Sequence, residues 1–266
     1  MHRPSQLVGT LDVAGVPCGL TCSDPEFSHA LRHRYGSFLG VRAPELRIEI
    51  DVERPARVSS EDRDVYARVG GDGRRITVDG IDFEGVFDEE QQRGRIVQPA
   101  EPAALETLLT AVYAARLLRE GGCLLHAAAI VRNGVAHVFY GPSGSGKTTV
   151  SELVGEGVVS DEIAVLRRTR TGWTVSGVPW RGTPLTAPLG ALFRLRQAST
   201  TLFEPMAPAS AVRSLLGCVF FARADGAESQ AFLDTAAAMV SRVPAWDMKF
   251  RRDREFWTLL PRPVAA

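Results

Sequence analysis

A chain of 266 residues, 45% hydrophobic and 23% charged, has an ordinary globular composition and enough length for one large domain or two small ones. Its 31 basic side chains are matched by 31 acidic ones, so no net field favours nucleic acid or an anionic membrane surface as a partner. No apolar run approaches the roughly 20 residues needed to span a bilayer, and the opening MHRPSQLVGT has no apolar signal region.

From the start of the chain, Leu7–Thr21 reads as a hairpin that turns near Ala14-Gly15. Ser23-Asp24-Pro25 supplies an N-cap followed by proline at the first helical position, which predicts a helix to about Tyr35, stopped by Gly36. Leu46–Val52 alternates as LRIEIDV, a strand with one wet face. Arg54–Asp64 is charged and loop-like. Ala67–Val69, Ile76–Val78 and Asp82–Phe87 form a meander punctuated by glycines, and Arg95–Val97 adds a further strand. Pro99-Ala-Glu-Pro102 then opens a long helix to about Arg119, with Leu105, Leu108, Leu109 and Val112 at helical spacing, and Gly121-Gly122 ends it. Residues 1–98 are therefore expected to form a β-rich N-terminal lobe and residues 99–266 a second domain. Cys18, Cys22, Cys123 and Cys218 read as free thiols. Cys18-x₃-Cys22 with His29 and His33 invites a zinc reading, but an ordinary strand GVPCGLTC and the polar side of a helix account for the same residues.

Next comes the stretch that organises the rest. Leu124-Leu-His126 lies one hairpin before the run VAHVFY, Val135–Tyr140, with Asn133-Gly134 as the turn between them. VAHVFY is a β-branched and aromatic run of buried-strand type. It leads into Gly141-Pro142-Ser143-Gly144-Ser145-Gly146-Lys147-Thr148, a full match to the phosphate-binding loop G-x-x-x-x-G-K-[ST], and Thr149–Val154 continues as helix. The residue types suit the chemistry. Glycines let backbone N–H groups close on phosphate oxygens, and the helix adds its positive end. Lys147 supplies charge to the β- and γ-phosphates, and the Thr148 hydroxyl is offered to Mg²⁺.

Val158-Val-Ser160-Asp161-Glu162 is a strand-like run that brings two acids back only thirteen residues after Thr148. That gap holds about two turns of helix and a glycine turn at Gly155 and Gly157, so the acids are expected beside the loop. Ile163–Leu166 completes a strand, and Trp173–Ser176 is another. Val178–Pro184 is a stiff loop carrying Arg181, a candidate for phosphate or substrate, with a structural turn and surface arginine as the plainer reading. Pro188–Leu195 is a strand, and Ala209–Leu216 and Glu228–Ser241 are helices. Val243–Phe250 then leads through Arg251, Arg252, Asp253 and Arg254 to Phe256-Trp257. The arginines there read as a solvated face before a nucleotide contact.

LLHAAAI, GPSGSGKTT and VVSDE, in that order and spacing, resemble the catalytic core of HPr kinase/phosphorylase and its relatives. ATP-dependent phosphoenolpyruvate carboxykinase is similar in its loop and nearby acids. The resemblance covers Leu124–Leu166 most specifically and Pro179–Trp257 more loosely, and VPAWDMKFRRDREFW looks like the closing strand of kinase-like relatives. It implies an α/β (α+β) P-loop kinase core of the HPr kinase type with a mixed sheet over residues 99–266. It further implies that Lys147 and Thr148 bind MgATP, with Thr149 completing the nucleotide loop. Asp161 would accept the proton of an acceptor hydroxyl. Glu162 would sit by the metal or support Asp161, and His126 would orient an acid or phosphate. Residues 1–98 do not match that enzyme's own N-terminal domain, and its glycine-rich acceptor loop has no counterpart, so HPr is not the expected acceptor. Similar proteins that accompany ribosomally made peptides point instead to serine in a protein or precursor peptide. A small-molecule kinase and a non-catalytic ATP-binding regulatory module are the alternatives, self-association is left open, and ATP use without a signal or membrane segment makes the cytoplasm the expected compartment.

Overall fold

The computed structural model describes residues 5–53, 67–223 and 225–261. The charged loop expected over Arg54–Asp64 falls outside the described residues. The chain divides into two compact units, Met1–Arg116 with Phe221–Asp225, and Leu117–Phe220 with Gly226–Ala266.

The first unit is one eight-stranded mixed sheet. β1 (Gln6–Val13) and β2 (Val16–Cys22) form the expected hairpin, with Ala14 and Gly15 both at positive φ in the turn. α1 (Pro25–Tyr35) begins where the sequence puts it, because the Asp24 carboxylate accepts the Phe27 N–H at 2.8 Å. β3 (Leu39–Gly40), β4 (Leu46–Val52), β5 (Arg68–Gly71), β6 (Arg75–Asp79), β7 (Glu84–Asp88) and β8 (Arg93–Gln98) complete the order β3-β1-β2-β4-β8-β7-β6-β5. β2–β4 and β4–β8 are parallel and the remaining pairs antiparallel. Alternation buries Leu46, Ile48 and Ile50 on one face of β4 and leaves Arg47 and Glu49 wet. Cys18 and Cys22 are buried in β2 whereas His29 and His33 are exposed on α1, so these four residues do not form a ligand set. α2 (Pro102–Arg119) carries the boundary between the units within its last turn.

The second unit holds β9 (Gly122–Arg132), β10 (Val135–Tyr140), α3 (Lys147–Val154), β11 (Val158–Ser160), β12 (Ile163–Arg168), β13 (Trp173–Ser176), β14 (Thr186–Gln197), β15 (Leu202–Pro205), α4 (Pro208–Leu216), α5 (Gly226–Val240), β16 (Ala245–Phe250) and α6 (Glu255–Leu259). Two long strands change partners midway. β9 pairs with β12 from Gly122 to His126 and with β10 from Ala127 to Arg132. β14 pairs with β13 from Thr186 to Pro188 and with β10 from Leu189 onward. The pairings β10-β9-β12-β13-β14-β10 therefore close into a small barrel, and β16 and β15 extend the sheet beyond β14. The unit is mixed α/β, with antiparallel pairs around β9 and parallel pairs β10–β14 and β14–β16. Its core joins Phe139, Val150, Phe193, Met248, Phe250 and Phe256, all buried.

Three details differ from the sequence expectation. The acid run does not continue as a strand: β11 stops at Ser160, and Asp161 and Glu162 sit in a bend before β12. β15 was not expected, since LFEP lacks a clean alternation and ends in proline, as an edge strand can. The closing segment over Val243–Trp257 is a strand only to Phe250, after which a turn leads into α6, a helix of five residues held by buried Phe256.

Candidate functional site

β10 delivers the glycine loop. Paired on both sides, by β9 and by β14, it is a central strand, and its buried Tyr140 precedes the loop directly. Residues 141–146 then turn into α3, whose N-cap is Gly146 at φ 109°, a backbone conformation that L side chains rarely adopt. A methyl there would also meet the Phe250 ring at 3.4 Å. The N–H groups of the first turn of α3 have no acceptor within the helix, which is the basis of anion binding at such a terminus. The loop is braced from within and without: Ser145 N–H donates to the Pro142 carbonyl at 3.1 Å, and Gln197 Nε2 donates to the Gly144 carbonyl at 2.6 Å.

Lys147 Nζ donates to the carbonyls of Gly141 and Pro142 at 2.9 and 3.1 Å. The ammonium is thus folded back over its own loop. Burial pulls its pKa below the ordinary lysine value, while Cys218 and Glu162 push the other way.

The acids are set by Ser160. Its buried Oγ donates to the Arg181 carbonyl at 2.7 Å and accepts the N–H groups of Glu162 and Ile163 at 3.2 and 2.9 Å. This local turn throws Asp161 outward as an exposed side chain and holds Glu162 half-buried. Glu162 Oε2 lies 3.1 Å from Arg181 Nε, so the arginine that was a candidate for phosphate or substrate is engaged by the second acid. His126 comes alongside by register: it pairs with Ile163, and Ala127 N–H donates to the Glu162 carbonyl at 2.9 Å. Its imidazole is half-buried, its ring centroid 6.2 Å from that of Phe220. Burial first, then the Lys147 charge, lowers its pKa, against a smaller opposing pull from Glu162.

These groups share one cavity of about 560 Å³. Ser143, Gly144, Gly146, Lys147, Thr148 and Thr149 line its floor. Asp161, Glu162 and His126 line it as well. Of the loop residues expected at the nucleotide, Gly141, Pro142 and Ser145 do not line it. Gly141 and Pro142 supply the carbonyls that hold Lys147, and Ser145 is buried with its hydroxyl unpartnered among the described residues. The remaining lining residues, Gln197, Ala198, Phe250 and Arg252, were not expected individually. They come from the ends of β14 and β16, and only the register Gln197↔Phe250 brings them together.

The donors present suit Mg²⁺ carried with phosphates. Thr148, Asp161 and Glu162 offer oxygen atoms to the same cavity. Among the described residues no cluster of three or more His, Cys, Asp or Glu could hold a metal ion by itself. Mg²⁺ is typically bound through one or two carboxylates together with substrate phosphates and water, and this donor set fits that pattern. No helix among the described residues is long and apolar enough to cross a membrane. No protein-family model matches the chain, and no curated protein matches it.

Proposed function

We propose that this chain is an ATP-dependent phosphotransferase of the HPr kinase type, which moves the γ-phosphoryl group of ATP to a hydroxyl, with serine of a protein or precursor peptide as the acceptor class. The observation that carries the reading is the single cavity in which the phosphate loop and Asp161 lie together. A phosphoryl transfer asks for positioning, charge neutralisation and one acid to orient the nucleophile, and the cavity lining supplies each.

In this reading the loop N–H groups and Lys147 hold the β- and γ-phosphates, and Lys147 exchanges its two carbonyl partners for phosphate oxygens. Thr148 and Glu162 would hold Mg²⁺, which would supply charge neutralisation. The acceptor oxygen forms a bond to the γ-phosphorus as the bond from that phosphorus to the β–γ bridging oxygen breaks. ADP departs with the electron pair, and Asp161 takes the acceptor's proton. His126, whose pKa is lowered by burial and by the Lys147 charge, would orient an acid or a phosphate in the cavity it lines.

The test is Asp161→Asn, assayed for ATP affinity by calorimetry and for transfer from γ-labelled ATP to a library of serine peptides. The variant is expected to bind ATP within about twofold of wild type and to transfer at least about a hundredfold more slowly. Transfer by the variant at the wild-type rate removes Asp161 from the role of base. ATP binding by a wild-type protein that labels no peptide and no small hydroxyl compound establishes a nucleotide-binding module instead.

A further inference from the structure

The sheet order fixes more than the triphosphate. β10 lies between β9 and β14, and β16 lies beyond β14. The phosphate loop therefore has two distinct flanks. On the β9 side stand His126 and the acid turn, tied together by the pairing of His126 with Ile163. On the β14 side the strand ends Gln197 and Phe250 are paired, and Ala198 N–H donates to the Phe250 carbonyl at 3.0 Å. A polyphosphate seated on the loop with its terminal phosphorus toward the acids can extend its other end over the β14–β16 flank, whose residues line the same cavity.

The chemistry of that flank differs from the acid side. Ala198, half-buried, offers apolar surface backed by the core residue Phe250 at 2% exposure, and Gln197 offers an amide whose Nε2 is already committed to the Gly144 carbonyl. Arg252 is the cation. Its neighbours are occupied elsewhere: Arg251 pairs with Asp253 and Glu255, and Arg254 donates to the Val154 carbonyl at the end of α3. Arg252 lines the cavity and has no ion-pair partner among the described residues. A planar guanidinium beside an apolar wall is suited to stacking on a flat heteroaromatic ring.

We infer that Gln197, Ala198, Phe250 and Arg252 form the nucleoside subsite, with Arg252 stacking on the base. This rests on the reading of residues 141–149 as a triphosphate site. It assigns Arg252 to the nucleotide rather than to a solvated face or to an acidic acceptor. It also makes the base, and not only the phosphates, a source of affinity.

Calorimetry with MgATP and with inorganic tripolyphosphate separates the two. Wild-type protein is expected to bind ATP more tightly than tripolyphosphate. Arg252→Ala is expected to weaken ATP roughly tenfold and leave tripolyphosphate unchanged, a loss of the size of a partly desolvated cation–π contact. Because Arg252 is exposed, the substitution leaves the core packing untouched. Equal losses for both ligands would make Arg252 a phosphate ligand and overturn the assignment. Unchanged affinity for both overturns it as well. The underlying reading has its own control: Lys147→Ala must weaken tripolyphosphate binding. If it does not, the triphosphate site itself fails, whereas Lys147-dependent binding that is insensitive to Arg252 rejects the nucleoside subsite alone.

Discussion

Ser160 shows how much of this site rests on one small side chain. Its hydroxyl closes the turn that presents Asp161, and it also ties that turn to the loop carrying Arg181. Replacing it with alanine leaves the Arg181 carbonyl and the Ile163 N–H without that partner in a buried setting. Ser160→Ala is expected to lower stability by about 1–3 kcal/mol and, by releasing the turn, to slow transfer more than it weakens ATP binding. Urea unfolding and a comparison of kcat with ATP affinity read the two effects, and equal loss in both kinetic and binding terms would show that the turn does not position the acid. Ser160 was in view in the sequence as part of VVSDE, but nothing in that string distinguishes a strand residue from one whose hydroxyl ends the strand. The tell-tale is a serine two and three residues before the N–H groups it captures, and it acquires force only once the strand is seen to break.

At the scale of elements, the strand, loop and helix around the glycine motif were legible because each local signal agreed with its neighbours. A β-branched run, a full phosphate-loop match and a short helix follow one another as read, and the hairpin before them turns at Asn133-Gly134, both at positive φ. The return from α3 to the acids depends on two glycines that are not equivalent. Gly155 sits at φ 75° with nothing closer than 3.9 Å to an added Cβ, whereas at Gly157, φ 66°, that atom would lie 2.5 Å from the Val131 carbonyl oxygen. Val131 N–H also donates to the Gly157 carbonyl at 2.8 Å, so the backbone cannot withdraw cheaply. Gly155→Ala is expected to cost about 1 kcal/mol, the penalty of the left-handed conformation, and Gly157→Ala about 2 kcal/mol or more, with the larger loss of ATP affinity. Thermal unfolding and calorimetry on the pair decide it, and equal costs would mean that Val131 yields. The flank formed by Gln197, Ala198 and Phe250 was not legible in this way. Two strand ends more than fifty residues apart in the sequence meet there through a parallel register, and no local pattern records such a pairing.

Taken whole, the chain carries no net charge at pH 7, and a buried titratable group adds its own contribution to the way stability changes with pH. His137 is such a group. It sits in β10 at 4% exposure, with its ring centroid 5.9 Å from that of Phe193 and 6.1 Å from that of Trp257. Burial, with Arg132 nearby, pushes its pKa down from 6.5 to about 4. The unfolded chain therefore binds a proton there that the folded chain refuses. Stability from this residue is intact above about pH 6.5 and declines as the pH falls toward about 4, by up to about 3 kcal/mol. His137→Phe removes the titration, so between pH 7 and pH 4.5 it is expected to lose about 2 kcal/mol less than wild type in urea unfolding. Identical losses would show that the imidazole is charged in the folded protein. The two-unit organisation was only partly legible: the β-rich character of the first unit follows from its alternating runs, but the return of Phe221–Asp225 to that unit is a long-range fact with no local signature.

The hold of Lys147 on its own loop has a consequence for covalent chemistry. The sequence contains two lysines, Lys147 and Lys249, the rest of its basic side chains being arginine. Lys249 forms an ion pair with Glu204 at 3.3 Å, whereas the amine of Lys147 is turned onto two carbonyls of its own loop, partly dry, with its pKa depressed by burial. Acylation of lysine side chains in this protein thus has two addresses, and one of them is the residue that would grip the triphosphate. A single acetyl group there would neutralise the charge on which the cradle depends, and a bound nucleotide would shield the same nitrogen from the reagent.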